Sequence, residues 1–261
     1  MGVINVTPDS FYADSRKQHL AAIVATAGQM LSEGADIIDI GGMSSRPGAA
    51  IIQPAEELER VLPPIEAIRK QFPHALISID TVHSTVARQA VAAGASIVND
   101  ISAGRIDAAM YDTVAELGVP YILMHMRGKP ETMQQDLQYD KVVQRILDFF
   151  LQEVAILRQK GLNDIIIDPG FGFGKSVAQN YELLKGLHLF GMLEVPILAG
   201  LSRKSMIYKL LDTTPENALN GTSVAHLIAL QQGARLLRVH DVRPAWEVIQ
   251  IWEQVAHTTV R

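Results

Sequence analysis

The chain has 261 residues, 48% of them hydrophobic, which suits one α/β barrel domain of roughly 250 residues with a large core. A formal net charge of −5 argues against nucleic acid as the main partner; no run approaches eighteen uninterrupted apolar residues, and no signal peptide is visible. With no cysteine, disulfides, Cys–Zn sites and thiol nucleophiles are excluded together, which fits a cytoplasmic setting.

Short apolar runs alternate with helix-like runs. The first strand is Gly2 to Val6. It starts at the very beginning of the sequence, so leading residues are expected to be missing. Thr7 to Ser15 is a loop by its Pro, Asp and Ser content, and His19 to Ser32 a helix. Asp36 to Ile40 is the second strand, Gly41 to Gln53 a long loop, and Pro54 to Gln71 an amphipathic helix expected to kink or break at Pro63-Pro64. Leu76 to Ile79 is the third strand and ends at Asp80. A helix over Ser84 to Ala93 leads to a fourth strand, Ser96 to Asn99. A helix over Asp107 to Leu117 leads to a fifth, Pro120 to His125. Met126 to Leu137 is a loop and Asp140 to Lys160 a long helix. Asp164 to Ile167 is the sixth strand, followed by Asp168-Pro-Gly-Phe-Gly-Phe-Gly-Lys-Ser176 and a helix from near Gln179. Pro196 to Ala199 is the seventh strand. Arg203 to Leu211 and Pro215 to Gln231 are helices, Arg235 to Val239 is the eighth strand, and Pro244 to Ala256 a last helix.

Eight strand–helix pairs in series imply a parallel sheet, whose closed form is the α/β (β/α)8 TIM barrel. One domain over residues 1–261 is expected. The helix-to-strand links Ser32 to Ala35 and Ala93 to Ala95 are short, whereas the strand-to-helix links are longer and polar. Function therefore belongs on the carboxyl face of the strands.

Polar groups stand at nearly every strand end: Asn5, the run Gly41 to Gly48, Asp80, Asn99-Asp100, His125-Met-Arg-Gly128, Asp168, the run Gly200 to Ser205, and Arg238-Val-His240. Asp80, Asn99 and Asp168 suit a flat, nitrogen-rich ring whose N–H groups need acceptors. Arg46, Arg203, Lys204, Arg238 and His240 form a basic set, which at one mouth of an acidic chain implies an anion such as phosphate or carboxylate. Arg238 and His240 alternate along a strand and share a side. Histidines are scattered and form no metal cage, but Mg2+ held mainly by phosphates and one oxygen such as that of Asn5 is compatible. Gly170 to Ser176 fits the spacing of a Walker loop numerically, but a barrel context disfavours that reading.

The sequence resembles the dihydropteroate synthase family, whose motifs it carries in order: Met1-Gly-Val-Ile-Asn-Val-Thr-Pro-Asp-Ser-Phe11, Asp39-Ile-Gly-Gly-Met-Ser-Ser-Arg-Pro-Gly48, Ser78-Ile-Asp-Thr81, Asn99-Asp-Ile-Ser-Ala-Gly104, Met124-His-Met-Arg-Gly128, Asp168 to Lys175, Gly200 to Ser205 and Arg238-Val-His-Asp-Val242. The resemblance implies condensation of 6-hydroxymethyl-7,8-dihydropterin diphosphate with 4-aminobenzoate, in a cytoplasmic homodimer using Mg2+. It places Asp80, Asn99, Met126, Asp168, Phe173 and Lys204 around the pterin, and Asn5, Ser45, Arg46, Arg238 and His240 at the diphosphate, with Asn5 toward the metal. It places Phe11, Arg46, Pro47, Phe173, Lys204 and Ser205 at the aminobenzoate. Asp80, Asp168, Lys204, Arg238, His240 and Arg46 are the implied catalytic set, and Asp9 joins the closing loops.

Two departures stand out. Met43-Ser-Ser45 replaces the Glu-Ser-Thr common in the family, removing a carboxylate. The first loop continues Tyr12-Ala-Asp-Ser15 instead of Ser-Asp-Gly-Gly. Two other readings compete. A methyltetrahydrofolate methyltransferase would share the Asp-Asn-Asp pocket but has no need of Ser45-Arg46-Pro47 or of Arg238 and His240. A catalytically dead binding barrel would be motivated by Met43 and the first loop. Release of pyrophosphate separates all three.

Overall fold

The computed structural model describes residues 1–6, 13–44, 49–128 and 140–259, with the side chains of 13–17 left aside. Among these, eight strands run in chain order: β1 Gly2–Asn5, β2 Ile37–Gly41, β3 Leu76–Asp80, β4 Ile97–Asp100, β5 Tyr121–Met124, β6 Ile165–Asp168, β7 Leu198–Ala199 and β8 Leu236–Leu237. The helices are α1 Ala13–Ser32, α2 Pro54–Gln71, α3 Ser84–Ala92, α4 Met110–Leu117, α5 Val142–Gln159, α6 Val177–Lys185, α7 Ser205–Leu210, α8 Leu219–Gln231 and α9 Val242–His257.

Strands β1 to β6 pair in parallel in sequence order, and β7 pairs with β8. Parallel bridges Ile167↔Ile197 and Gly2↔Val239 join these two groups at both edges. The Val3 amide donates to Val239 at 3.0 Å, and that of Val239 to Met1 at 2.9 Å. The sheet is thus the closed ring of a (β/α)8 barrel, which leaves no open edge.

The period of two along each strand separates two cores. Ile38, Ile40, Ile77, Ile79, Val98, Leu123 and Ile167 pack outward against helix residues such as Val61, Ile65, Val86, Ala90 and Phe150. Ile37, Ile97, Ile122 and Leu198 fill the barrel interior with Met1, Ile166 and Leu236. Following that inner face toward the carboxyl ends, the layers turn polar. Asn5, Gly41, Asp80 and Asn99 are successive Cα partners across β1 to β4, so one register line supplies a continuous arc of the rim.

The structure departs from the local expectations in several places, beginning with α1, which starts at Ala13 and not at His19. Helix α2 runs through Pro63 and Pro64 without a break. Both prolines have the φ a helix needs, and the face of Val61, Pro64, Ile65 and Ile68 is buried, which offsets the missing donors. The helix expected over Pro215 to Gln231 is a 3-10 turn, Pro215–Asn217, followed by α8. A further 3-10 segment, Leu187–Leu193, follows α6 and ends at Glu194 with φ +54°; its apolar Leu187, Phe190 and Leu193 are buried.

Candidate active site

Asp168 closes β6, and the backbone beyond it turns through Gly170, Gly172 and Gly174, all at positive φ. The loop is stapled from within. The buried Lys175 folds back, and its Nζ donates to the carbonyls of Gly170 at 2.8 Å and Phe173 at 3.1 Å, while standing 3.2 Å from His125 Nδ1. Asn180 Oδ1 accepts from the Gly172 amide at 2.7 Å. Ser176 and Gln179 cap α6 reciprocally, as a capping box does. Lys175 is therefore a clip for its own loop and not a phosphate lysine, which agrees with setting the Walker reading aside. Burial pulls its ammonium down to about 7, against the pull of Asp168.

The acidic and basic sets expected as separate groups are interleaved. Arg238 Nε donates to Asp39 Oδ2 at 2.7 Å, and Arg238 Nη2 to Asp80 Oδ2 at 2.6 Å. Asn99 Nδ2 donates to the same Asp39 oxygen at 3.3 Å. Burial raises Asp80 above the usual carboxylate range; Arg238 opposes this, and Asp39, Asp100 and Asp168 add to it. Burial works against the charge on Arg238, but Asp39 and Asp80 outweigh it and hold the guanidinium more firmly charged. Burial thus prevails at Asp80, and the two carboxylates together prevail at Arg238.

Asp168 Oδ1 accepts from the Gly170 amide at 2.8 Å. Its Oδ2 faces Gly200, where an added Cβ would lie 3.8 Å from it and 3.9 Å from Lys204 Nζ. Burial raises Asp168, with Lys204 the largest opposing influence. Lys204 Nζ bonds to the Phe171 carbonyl and lies 4.4 Å from the Phe173 ring centroid. Burial brings it down to about 8. Past the strand ends beside this polar set lies an apolar cluster of Met43, Val82, Ile101, Met124 and Met126, with Phe173 packed against it. Met43 thus belongs to that apolar cluster. The neighbouring acid is Glu57 of α2, fully buried, accepting from Thr81 Oγ1 at 3.0 Å and driven up to about 7 by burial.

Arg238 and His240 flank Val239 on one side, as alternation requires. His240 Nδ1 is 3.0 Å from Ser202 Oγ, which also accepts the His240 amide at 3.2 Å. Ser202 thus takes up Nδ1 and leaves Nε2 as the ring nitrogen it does not engage. Burial and Arg238 pull the imidazole below its ordinary range. Asn5 ends β1 exposed, and Ser205 opens α7. Phe11, Ser45, Arg46 and Pro47, with Asp9, lie outside the described residues.

Three residues from the strand-end collection do different work. Arg203 is bound to Asp241 through Nε at 2.8 Å and Nη2 at 2.9 Å, and to the carbonyls of Pro215 and Glu216; it fastens α9 to the loop before α8. His125 points outward, its ring 4.9 Å from that of Phe149 on α5. Asp100 accepts from Ser102, Gly104 and Tyr121 and shapes its own turn. Conversely Asp39, within β2, lies inside the site. Its spacing of two from Gly41 was the available signal: an acid on the inner face of an otherwise apolar strand.

The chain matches the pterin binding enzyme family over residues 1–240. It is 43% identical to the dihydropteroate synthase of Escherichia coli (strain K12), over 97% of this chain and 90% of that protein. Among solved structures it resembles the Xanthomonas albilineans dihydropteroate synthase with 4-aminobenzoic acid, at 43% identity and a TM-score of 0.91 over 99% of this chain and 93% of that one. The enzyme of that organism in complex with 7,8-dihydropteroate gives 39% identity and a TM-score of 0.87, with the same coverage.

Proposed function

The chain belongs to the pterin binding enzyme family and is a transferase of folate synthesis that forms 7,8-dihydropteroate; we propose that the interleaved charges of its barrel mouth carry the reaction. The substrates are 6-hydroxymethyl-7,8-dihydropterin diphosphate and 4-aminobenzoate, and the second product is pyrophosphate. The observation that carries the assignment of residues is the meeting of Asp80, Asn99, Asp168 and Lys204 beside an apolar cluster at the barrel mouth. A flat heterocycle needs both: acceptors and donors at its edge, and apolar surface against its face.

Asp168 accepts from the pterin amino group and ring N–H, and Lys204 donates toward the ring carbonyl. Met126 and Phe173 lie against the ring face. As the carbon–oxygen bond breaks, the ring nitrogens carry the positive charge of the exocyclic methylene, and Asp80 and Asp168 stabilise it. Arg238, with Arg46, receives the departing diphosphate, and His240 donates from Nε2. Ser45 and Asn5 complete that anion site. Phe173, Lys204 and Ser205, with Phe11 and Pro47 from the two loops, hold the aminobenzoate amine in line.

Mg2+ fits this donor set. Asn5 offers a neutral amide oxygen at the rim, and no cluster of three His, Cys, Asp or Glu side chains among the described residues could cage a metal. A hard cation held chiefly by phosphate oxygens needs no more protein than this. When bound, it would neutralise charge on the leaving diphosphate. The enzyme is further proposed to act as a single-domain, cytoplasmic homodimer. Val224 and Ile228 of α8 and Ile251 and Val255 of α9 are exposed, which supports an apolar interface, and the lack of cysteine supports the compartment.

A substrate carrying 18O in the bond between methylene and diphosphate tests the mechanism. Carbon–oxygen cleavage sends the label into pyrophosphate. Label retained as a pterin alcohol would mean phosphorus–oxygen cleavage and would contradict the proposal.

A further inference from the structure

Two carboxylates share Arg238, but they stand at different depths. Asp80 is at the rim, next to Gly41; a Cβ there would lie 3.7 Å from Asp80 Oδ2 and 3.5 Å from Asn5 Oδ1. Gly41 therefore sets no side chain against the Asp80 carboxylate. Asp39 is two residues deeper on β2, pairs with Val3 and Ser78, and is fully buried. Its Oδ2 takes Arg238 Nε and Asn99 Nδ2 and lies 2.7 Å from Arg238 Nη2 as well, and its Oδ1 has no partner among the described residues. Arg238 and Asn99 both stand against its Oδ2.

On the proposed reading of the site, we infer that Asp39 is a positioning residue that anchors Arg238 through Nε and the near side of Nη2, so that only the second Nη2 contact, to Asp80, exchanges during binding. A pterin N–H takes over Asp80. The Nη2 hydrogen released from Asp80, together with Nη1, then serves the diphosphate while the planar guanidinium keeps its place on Asp39. Asn99, held by the same carboxylate oxygen, is fixed with it. Pterin and anion therefore bind with positive coupling, and the coupling is reciprocal. Removing the charge of Asp39 leaves the throat more positive, so electrostatics alone would tighten an anion. Looser anion binding is the signature of lost placement.

The test is a double-mutant cycle on pyrophosphate affinity by calorimetry, using the parent protein, Asp39→Asn, Arg238→Ala and the double variant, with turnover of the parent measured alongside. Asp39→Asn is expected to weaken pyrophosphate roughly tenfold in the parent background, as loss of a charge-assisted bond would, and by less than about twofold when Arg238 is already alanine. Equal losses in both backgrounds, or tighter binding, would overturn the positioning role. If Asp39→Asn does not fold, the parent labelled with 15N-arginine decides. The Arg238 Nε–H signal is expected to stay slowly exchanging when pyrophosphate is added, and its conversion to that of a free guanidinium would overturn the anchor. A parent that turns over but fails these tests removes only this inference. A parent that does not turn over removes the functional reading and the inference with it.

Discussion

Gly170 passes so close to His125 that a Cβ built on it would stand 2.0 Å from the His125 carbonyl oxygen. Its φ of +71° is also in the left-handed region. The loop after Asp168 therefore reaches its place only because residue 170 has no side chain. Gly170→Ala is expected to destabilise the fold by at least about 2 kcal/mol and to lose most activity, since the Gly170 amide that donates to Asp168 must move. Thermal unfolding with pterin calorimetry checks this; wild-type values for both would mean the close approach is relaxed in solution.

Two arginines that looked alike in the sequence should part company. Arg203→Ala breaks the pairing with Asp241 and two carbonyl contacts, so it should lower stability by about 1–3 kcal/mol yet leave pyrophosphate affinity within about threefold. Arg238→Ala should weaken pyrophosphate more than tenfold while a pterin alcohol without phosphate loses less. Comparable losses of pyrophosphate in both variants would return Arg203 to the anion site.

Glu57 carries a pH dependence. Burial lifts its folded-state pKa to about 7, well above its ordinary value. Between roughly pH 4.5, where it titrates when unfolded, and about 7, the native state holds the extra proton. This contribution to stability is thus complete below that window and is lost as pH rises through it. Glu57→Gln keeps an acceptor for Thr81 and removes the titration. It should be more stable than the parent at pH 8, by on the order of 3 kcal/mol at most, with the difference vanishing near pH 4. Melting curves across that range decide; a gap that does not change with pH would mean Glu57 ionises freely.

The barrel itself was legible because strands alternating with helices admit few closed architectures, and because turn glycines and apolar runs mark each unit. Asp80, Asn99 and Asp168 were legible as strand ends. Asp39 was hidden because a strand-end rule inspects only the residues just past a strand, whereas a barrel's inner face continues below its rim. His125 was misplaced for the complementary reason: it stands at a strand end but on the outward parity, where Phe149 and Lys175 take it up. Arg203 was misplaced because its partner, Asp241, is 38 residues away and no local pattern announces it. The continuity of α2 through two prolines depends on burial, which local propensity does not contain.

Asp168 offers the sharpest single substitution. Asp168→Asn turns one acceptor of a buried fork into a donor facing a donor, and should cost pterin binding about 2–4 kcal/mol. It should leave pyrophosphate affinity nearly unchanged. Pterin binding within a few-fold of wild type would remove Asp168 from the pocket.

The most direct test of the central claim is turnover of the purified chain with 6-hydroxymethyl-7,8-dihydropterin diphosphate, 4-aminobenzoate and Mg2+, measuring pyrophosphate and 7,8-dihydropteroate together. Both products should appear in equal amounts, neither should form without 4-aminobenzoate, and Arg238→Ala should suppress both. Binding of both substrates with no pyrophosphate released, or pyrophosphate released with only the pterin alcohol as its counterpart, would contradict the claim.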